Sequence, residues 1–326
     1  LAESRIGDNN YLGNDIFYPP GGRTGANVLL GTKTMIPIDG PVRENVGLLG
    51  SPAFEIPRMV DRDRDMNASF DETTRRARLR AKNAYNFVTA LFFLASRWMA
   101  VLAALVLGEA AFAGYDRFGV LALFAGIAAL TAAYLVFFTV LERASLSFGR
   151  LAPKFASIYE PYFWWHERHW KLSDSPVTSL FAGTPFRGML LRAMGVKVGA
   201  KLFDCSQSIT ERTLTELGDH ANLNEGCVLQ AHSLEEGVFK SDFIRLGNGC
   251  SVGPGAFVHY GVSTGDHVVL DADSFLMKGE VLEPHTGWRG NPAKLARRHA
   301  VDGAAKIGDS AASAVQDSDS FRIAAE

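Results

Sequence analysis

The chain has 326 residues, of which 47% are hydrophobic, a formal net charge of −2 and a sequence pI near 6.5. This balance excludes a strongly basic surface for nucleic acid and, by composition alone, would suit an ordinary soluble protein. The distribution of the hydrophobic residues along the chain does not fit a soluble protein, because they fall into repeats and two long apolar segments.

In the first part of the chain, an aliphatic residue returns at every sixth position. The series consists of Ile6, Leu12, Leu30, Ile36, Val42 and Leu48, with Tyr18 and Thr24 at the two intervening positions. A period of six fits neither an α-helix nor a lone strand, and it is typical of a hexapeptide repeat, which forms a parallel β-helix. We therefore predict that residues 1–57 form the end of one β-helix module. Since Leu1 begins only a few residues before a coil, we expect the chain to be a fragment of a longer protein.

Two apolar segments follow a basic linker, which we assign to residues 58–85. The segment 87–107 is interrupted only by Arg97, and the segment 118–141 has no charged residue. Both are long enough to cross a hydrocarbon core of about 30 Å. We predict a pair of transmembrane helices within residues 86–142, and the alternative is a buried helical hairpin in a soluble protein.

Positive charges flank the outer ends of this hairpin, whereas the connection 108–117 holds one arginine and two acids. By the positive-inside rule, both ends lie in the cytoplasm, so we expect a multi-pass protein of the cell membrane with both β-helix modules on its cytoplasmic side. Arg97 would be costly if it faced lipid. We expect it to face a neighbouring helix and support packing; pairing with another helix or lining a polar path are the alternatives.

The segment 143–194 is expected to lead from the membrane to the second module. Residues 159–170 mix tyrosine, phenylalanine and tryptophan with histidine and arginine, which suits the headgroup interface of a membrane. Stacking on nucleic acid is the weaker alternative, because no basic patch accompanies these aromatic residues. Residues 186–199 are predicted to begin as a short helix that feeds the first coil.

The six-residue series is most regular in the second half of the chain. Its members are Leu246, Val252, Val258, Leu270, Leu276 and Leu282, with only Thr264 breaking the series. Small residues usually stand four places later, and both positions are expected to point into a narrow prism. Leu217, Leu223 and Leu229 keep the spacing, but the phase is lost before Leu246. We predict a β-helix module over 195–299, a loop thrown out of the prism at 231–243, and a disordered tail at 300–326.

The cysteines offer little chemistry. Cys205, Cys227 and Cys250 show no pairing pattern, and two of them occupy small inward positions of the repeat. We interpret them as buried spacers. No phosphate-binding loop or zinc-type spacing occurs, so no metal site is predicted.

The two arrays differ in their content of histidine. Residues 1–57 contain none, whereas the second array has His220, His232, His259, His267 and His285. A general base that works near neutral pH is most often histidine. His220, His259 and His267 fall in regular turns, which favours solvated surface. His232 stands where the chain leaves the prism, and Glu235 or Glu236 could orient its ring. The alternative is a loop histidine without a role.

The repeats and the closing motif at 288–294, Trp-Arg-Gly-Asn-Pro-Ala-Lys, resemble the left-handed β-helix acyltransferases. Those enzymes pass an acyl group from a pantetheine thioester to an amine or hydroxyl, with histidine as the base. The resemblance implies a mainly β fold with a left-handed helix and His232 as the catalytic residue. On the same basis we assign Trp288 to substrate binding, and Asn291 and Lys294 to cofactor binding.

Nearly the whole chain resembles the C-terminal membrane region of nonribosomal peptide synthetases of the poly-ε-lysine synthetase type. The segments that show this are 23–33, 41–57 and 277–280. The resemblance implies amide formation from an aminoacyl or peptidyl thioester on the 4'-phosphopantetheine of a carrier domain. The carrier and adenylation domains of the same polypeptide and membrane lipid are the expected partners. Asn222, Asn224 and Glu235 are predicted to bind substrate.

Three other functions remain open from the sequence. The modules could be scaffolds that dock the carrier domain at the membrane, or the chain could be a membrane acyltransferase that uses coenzyme A. A transporter is weaker, because one helix hairpin is too little to form a pathway. Since β-helix acyltransferases work as trimers, an intramolecular pseudo-trimer or a homo-oligomer is expected, with the histidine-free module as one wall of the site.

Overall fold

The computed structural model describes residues 2–172 and 178–299, so the predicted disordered tail at 300–326 lies outside the described residues. The helices of the described residues are α1 (Asp61–Ala68), α2 (Glu72–Ala113), α3 (Tyr115–Phe118), α4 (Val120–Ser145), α5 (Pro161–Leu172) and α6 (Phe186–Met194), with 3₁₀ turns at Thr178–Phe181 and Arg212–Leu214. All other regular elements are short strands, which belong to two β arrays and one small antiparallel sheet.

The second array (residues 197–298) is a parallel β-helix with three faces. Successive coils pair in parallel on each face, as Leu217 with Leu246 and Thr264 with Leu282. The first face contains Ser208–Ile209, Val228–Gln230, Phe257–His259 and Phe275–Leu276. The second contains Lys197–Val198, Thr215–Leu217, Ile244–Leu246, Ser263–Thr264 and Val281–Leu282. The third contains Phe203–Asp204, Asn222–Leu223, Ser251–Val252, Val269–Leu270, Thr286–Arg289 and the antiparallel closing strand Lys294–Arg298.

The six-residue series of this array forms its core, as the spacing predicts. The aliphatic members are at most 5% exposed, and the small residues between them are equally buried. Cys227 and Cys250 are buried in the core, which confirms their interpretation as spacers. Burial raises the pKa of Cys227 to about 12, so its thiol is not ionised at neutral pH.

The first array (residues 5–56) repeats this architecture over fewer coils. Its strands are Arg5–Ile6 and Arg23–Thr24 on one face, and Tyr11–Leu12, Leu29–Leu30, Gly47–Leu49 and the antiparallel Phe54–Ile56 on another. Isolated parallel bridges join Phe17 to Met35 and Thr24 to Arg43. Both arrays therefore end in an antiparallel strand after a short turn.

The core of the first array is smaller than the six-residue period predicts. Leu30, Ile36 and Leu48 are at most 1% exposed, but Ile6 and Leu12 are 55% and 46% exposed. Ile6 and Leu12 belong to the first coil, which pairs with the next coil on one side, and no coil of the described residues covers its other side. Val42 is 51% exposed because Thr24 pairs with Arg43, and a shift of one residue turns a strand side chain to the other face.

Helices α2 and α4, which follow the first array and precede the second in the chain, pack as an antiparallel pair. The Tyr134 hydroxyl of α4 donates to the Ala100 carbonyl of α2 at 2.7 Å, and Gly126 lies so close to Ala111 that a Cβ on it would clash. Both helices are long and apolar enough to cross a membrane by length and composition. Their apolar windows are 11% and 0% buried, which argues against a buried hairpin of a soluble protein.

The ends of the helix pair differ from the predicted ones. Helix α1 (Asp61–Ala68) and the start of α2 at Glu72 both lie in the basic segment 58–85, so most of this segment is helical. It continues to Ala113, and the turn between the two helices is shorter than the predicted connection 108–117. The Arg97 guanidinium lies over the rings of Phe93 and Phe138, so it packs against the neighbouring helix as expected.

The predicted loop leaves the prism as a β-hairpin. His232–Glu235 and Val238–Ser241 pair antiparallel, with Glu236 and Gly237 at positive φ in the turn. Lys154–Ser157, which precedes α5, adds a third antiparallel strand. Helix α6 confirms the short helix predicted ahead of the first coil. The hairpin thus ties the second array to the segment that follows the apolar helices.

Candidate functional site

A cavity of about 260 Å³, here called the central cavity, lies between the two arrays. Residues of the first array on its wall are Tyr11, Gly13, Asn14, Leu30, Gly31 and Thr32. The opposite wall contains Gln230, His232, Ser233, Leu234, Glu235 and His259 of the second array and Trp170 of α5. The histidine singled out by the sequence therefore faces a cavity that both arrays form.

His232 is held by a buried carboxylate. Its Nδ1 lies 2.8 Å from Oε1 and 2.9 Å from Oε2 of Glu211, whose side chain is 0% exposed. Because the carboxylate accepts, Nδ1 carries the proton and the neutral ring keeps its lone pair on Nε2. The side chain of His232 is 15% exposed and lines the central cavity. The pair is therefore arranged to accept a proton at Nε2.

Aromatic rings fix the plane of this imidazole. The Trp170 ring is stacked on His232 with centroids 4.2 Å apart, and the Phe239 ring lies 5.9 Å away at an interplanar angle of 27°. Trp170 comes from α5 and Phe239 from the hairpin, so two elements outside the prism position the ring. Rings locked in this way lose little rotational freedom when a substrate binds.

Glu211 accepts from three further donors. The His166 Nε2 lies 3.1 Å from Oε1, and the Trp170 indole N–H and the Thr210 hydroxyl also donate to the carboxylate. Burial alone would raise the pKa of Glu211, but His232 and His166 together hold it well below its usual value. The carboxylate therefore stays ionised at neutral pH and accepts the hydrogen bond from Nδ1 of His232.

His259 is buried, so its interpretation as a solvated turn residue is wrong. It is 1% exposed, and its Nδ1 accepts from the Tyr260 backbone N–H at 3.1 Å. Burial, helped by the charges of Lys278 and His232, lowers its pKa to about 3. His259 is therefore a neutral wall of the cavity at physiological pH. His220 and His267 lie at exposed corners with positive φ, as expected for surface positions.

Polar contacts join the arrays at the cavity. Asn14 Nδ2 donates to Gln230 Oε1 at 2.7 Å, and the Tyr11 hydroxyl donates to the Leu234 carbonyl. Gln230 Nε2 in turn donates to the carbonyl of His232 at 3.0 Å. Burial raises the pKa of Tyr11 to about 12, so its hydroxyl remains a donor. The first array thus supplies amide and hydroxyl groups beside a histidine that it does not itself possess.

A second cavity of about 360 Å³, here called the side cavity, adjoins the first and shares Gly31, Thr32, Glu235 and His259 with it. Glu235 is paired with Lys278 there, and Glu236 is paired with Arg58 at 2.6 Å. The expectation that either glutamate orients His232 is therefore wrong. Glu211 takes that role because its coil lies directly beside the base of the hairpin.

The other predicted site residues are dispersed. Asn224 Nδ2 donates to the Val252 carbonyl within the prism, and Trp288 packs against the core of the second array. Asn222, Asn224 and Trp288 are not on the wall of the central cavity. Their assignment to substrate binding stays a prediction, which their positions in the structure do not support.

The closing motif lies at the junction of the arrays. Asn291 Nδ2 donates to the Lys33 carbonyl at 2.5 Å, and the Asn291 carbonyl accepts from the Ser51 N–H at 2.9 Å. Lys294 is exposed at the start of the closing strand. Asn291 therefore joins the arrays, and the structure gives neither residue a position at His232.

The aromatic segment does more than the predicted interfacial anchoring. Within α5, Phe163, Trp164, His166 and His169 are buried against the protein. Together with Ala156 and Phe239, Phe163 and Trp164 form a separate hydrophobic cluster behind the hairpin. This segment therefore builds the wall behind His232, and its anchoring at a headgroup layer stays a prediction.

Comparisons with known proteins agree with the predicted resemblance. No family model matches the chain. Delta-poly-L-ornithine synthetase of Acinetobacter baumannii, strain AB307-0294, is 26% identical over 306 residues, which cover 90% of this chain and 22% of that protein. The resemblance to synthetases of this type is confirmed, and the predicted enzyme class, a transferase or ligase, agrees with it. The chain spans about a fifth of that relative's length.

Solved structures with similarity to the chain are hexapeptide-repeat acetyltransferases. The Vibrio cholerae acetyltransferase has a TM-score of 0.32 and 16% identity, covering 38% of this chain and 87% of that chain. A galactoside acetyltransferase in complex with coenzyme A has a TM-score of 0.31 and 18% identity, covering 35% and 70%. A maltose O-acetyltransferase of Clostridium difficile has a TM-score of 0.33 and 18% identity, covering 49% and 97%.

Proposed function

We propose that this chain is the terminal region of a membrane-bound nonribosomal peptide synthetase, in which it forms amide bonds. An aminoacyl or peptidyl group passes from the phosphopantetheine thioester of a carrier domain to an amine. The two arrays are left-handed β-helix modules on the cytoplasmic side, and α2 and α4 cross the membrane between them. The similarity to a synthetase over 90% of the chain supports this proposal.

The observation that carries the proposal is the His232–Glu211 pair in the central cavity. A ring nitrogen with a free lone pair, backed by an ionised carboxylate, is suited to take a proton near neutral pH. Because the pair lies between two arrays, the acyl donor and the amine acceptor can bind against separate walls. A scaffold that only docks a carrier domain has no use for this pair.

The polar lining suits a phosphopantetheine arm. The arm contains two amide groups, and the amides of Asn14 and Gln230 lie beside His232 on the wall of the cavity. We assign these two residues to holding the arm, with Gln230 placed by its bond to the His232 carbonyl. The bound arm supplies an acyl group activated as a thioester, with its sulfur as the leaving group.

His232 and Glu211 then carry out the proton transfer. His232 Nε2 accepts the proton that the attacking amine loses as the new C–N bond forms, and returns it to the departing sulfur. Glu211 holds Nδ1–H and stabilises the imidazolium between these two events. Trp170 and Phe239 keep the ring in its plane and exclude water from its faces.

The test is an assay of the chain in detergent or nanodiscs with an aminoacyl carrier protein and a free amine. We expect an amide product by mass spectrometry, and His232→Ala should lower its rate by about 10²–10⁴-fold. His267→Ala is the matched control, because His267 lies on the exposed surface of the same array.

The acyl donor that supports turnover distinguishes the other candidate functions. Turnover with acyl-coenzyme A but not with the loaded carrier would make the chain a coenzyme A-dependent acyltransferase. Carrier binding without product from either donor would favour a docking scaffold. An unchanged rate in His232→Ala would remove this residue as the base.

A further inference from the structure

A third cavity, of about 920 Å³ and here called the helix crevice, lies where α2, α4 and α5 meet. Its walls are largely apolar, and the side chains that form them include Phe92, Phe93, Met99, Phe137, Leu141 and Trp165. It opens along the surface of two helices whose large apolar side chains are exposed, including Trp98 at 73% and Leu121 at 69%. A crevice with such walls suits hydrocarbon chains better than a polar metabolite.

The rim of the crevice is cationic. Arg97, Arg168 and Lys171 line it, and no aspartate or glutamate belongs to its described lining. Outside the lining, Glu167 lies 3.5 Å from Arg168 and from Lys82 and 3.9 Å from Lys171. One carboxylate beside four cations leaves an excess of positive charge. Burial lowers the pKa of His169 to about 4, so this lining residue adds no charge at neutral pH.

One of these cations has a donor that the described residues leave without an acceptor. The Arg168 Nε is buried and has no hydrogen-bond partner in the described parts of the chain, and its side chain is 18% exposed. A buried guanidinium donor without an acceptor is costly. A phosphate oxygen is an acceptor that guanidinium groups bind well.

The crevice lies at the depth of a lipid headgroup layer if α2 spans a bilayer. Arg97 is 16 residues before the end of α2 at Ala113, a distance of about 24 Å along the helix. The hydrocarbon core is about 30 Å thick, and long cationic side chains reach outward from its edge to the headgroups. Arg168 and Lys171 approach the same level from α5, and the Lys171 carbonyl accepts from Arg97 at 3.4 Å.

We propose that the helix crevice binds one anionic phospholipid, with the phosphate against Arg168 and Lys171 and the acyl chains between α2 and α4. This inference rests on the proposed membrane insertion of the chain. The positive rim selects an anionic headgroup, and the apolar walls select a molecule with hydrocarbon chains. Another membrane helix would leave the Arg168 Nε without an acceptor and the excess positive charge unbalanced, unless it brought carboxylates to the crevice.

The lipid would touch the wall of the catalytic site. Trp170 lines both the helix crevice and the central cavity, where its ring is stacked on His232. His169, also on the crevice wall, is hydrogen-bonded through Nδ1 to the Ser145 hydroxyl at 2.8 Å and so joins α5 to α4. An occupied crevice therefore supports the helix that holds the His232 ring in place.

The experiment places the full chain in nanodiscs that contain equal amounts of phosphatidylglycerol and phosphatidylcholine. Native mass spectrometry of the chain released from the nanodiscs counts the lipid that remains bound. We expect retention of one phosphatidylglycerol, at about tenfold preference over phosphatidylcholine. The variant Arg168→Gln with Lys171→Gln should lose this preference. Ala90→Trp, which fills the crevice and leaves its charge unchanged, should lose the bound lipid.

The matched control is Lys197→Gln with Arg245→Gln, which removes two exposed cations from the prism surface beside Glu216. This control should bind lipid as the wild type does. Equal retention of the two lipids by the wild type, or an unchanged preference in Arg168→Gln with Lys171→Gln, would overturn the lipid site while the chain remains in the bilayer. Failure of the wild-type chain to enter nanodiscs at all would instead overturn its membrane insertion.

Discussion

The two arrays share one repeat but differ in what is added to it. The first has no histidine and no element inserted between its coils. The second is interrupted by the hairpin and covered by α5, and His232, Trp170 and Phe239 meet where these additions leave the prism. The repeat thus provides a rigid wall and the buried Glu211, and the rings of the candidate site belong to the elements attached to it.

Under the proposed function, neither array is sufficient. The proposed base and its carboxylate belong to the second array, whereas Asn14 and Tyr11 of the first complete the central cavity. An array without catalytic groups can remain useful as the opposite wall of its neighbour's site. Three changes test this division, from the largest expected effect to the smallest.

The largest effect is expected from Glu211→Gln. The amide cannot stabilise an imidazolium as a carboxylate does, so we expect kcat for amide formation to fall by about 10²-fold. KM for the carrier should change little, because Glu211 is 0% exposed and cannot contact it. Initial rates at several carrier concentrations separate these two constants.

The matched control is Glu216→Gln, a carboxylate on the outer surface of the same array that pairs with Lys197. Its rate should equal that of the wild type. If Glu211→Gln retained full kcat with unchanged thermal stability, the carboxylate would have only a structural role.

Acid should destabilise the second array and α5 more than the first array. The pKa of His259 is lowered to about 3 and that of His169 to about 4, both chiefly by burial, so each stays neutral while folded. Above pH 6.5 neither the folded nor the unfolded chain binds the proton at these histidines, so no stability is lost. Below it the unfolded chain binds the proton first, so stability falls by up to about 1.4 kcal/mol per pH unit for each histidine. The first array has no histidine and no such loss.

Thermal unfolding followed by tryptophan fluorescence between pH 7 and pH 5 measures this loss, because residues 1–57 contain no tryptophan. Glu211, whose pKa is depressed, keeps its stabilising charge throughout this range. His259→Gln should reduce the pH dependence, and His267→Gln, at an exposed position, should leave it unchanged. If the stability of the wild type and of His259→Gln depended equally on pH, His259 would be protonated in the folded state.

The smallest effect is expected from Asn14→Ala in the first array. The change removes the donor to Gln230 and one amide from the cavity wall, so we expect kcat/KM for the carrier to fall by about 5–10-fold. Combining it with Gln230→Ala should add less than the sum of the single effects, because the two side chains are partners.

Glu55→Ala is the control within the first array, since Glu55 is exposed and pairs only with Arg43 among the described residues. An unchanged kcat/KM in Asn14→Ala would indicate that the first array does not contribute to the substrate site. The division of labour between the arrays would then be wrong.

The sequence predicts the elements whose signals are local. A six-residue period identifies the buried aliphatics of the second array, and the break in that period locates the hairpin. Two apolar segments give the helix pair. The exposure of Ile6 and Val42 escapes prediction, because periodicity reports neither the coils stacked above a strand nor a slip in pairing.

The site was harder to predict, because its residues meet through coil stacking. Ser208 pairs with Val228 and Ile209 with Leu229, so continuing this register would have placed Glu211 next to Ala231 and His232. Glu235 and Glu236 are closer to His232 in the sequence, but closeness in sequence says little about contact across a hairpin turn. Trp170 and His166 carried no comparable signal, since α5 has no repeat register that relates it to the prism.

The constant coil length has a consequence for engineering this molecule. In the regular coils beyond the hairpin, one circuit of the prism takes three hexapeptides, as in the pairing of Thr264 with Leu282. A deletion or insertion of one complete circuit there would shorten or lengthen the stack while leaving the orientation of every remaining side chain unchanged. Any other length would rotate all downstream faces, and a change of either kind would move the closing turn at Asn291 along the prism away from Ser51. Chimeras of this chain should therefore be joined only at whole circuits.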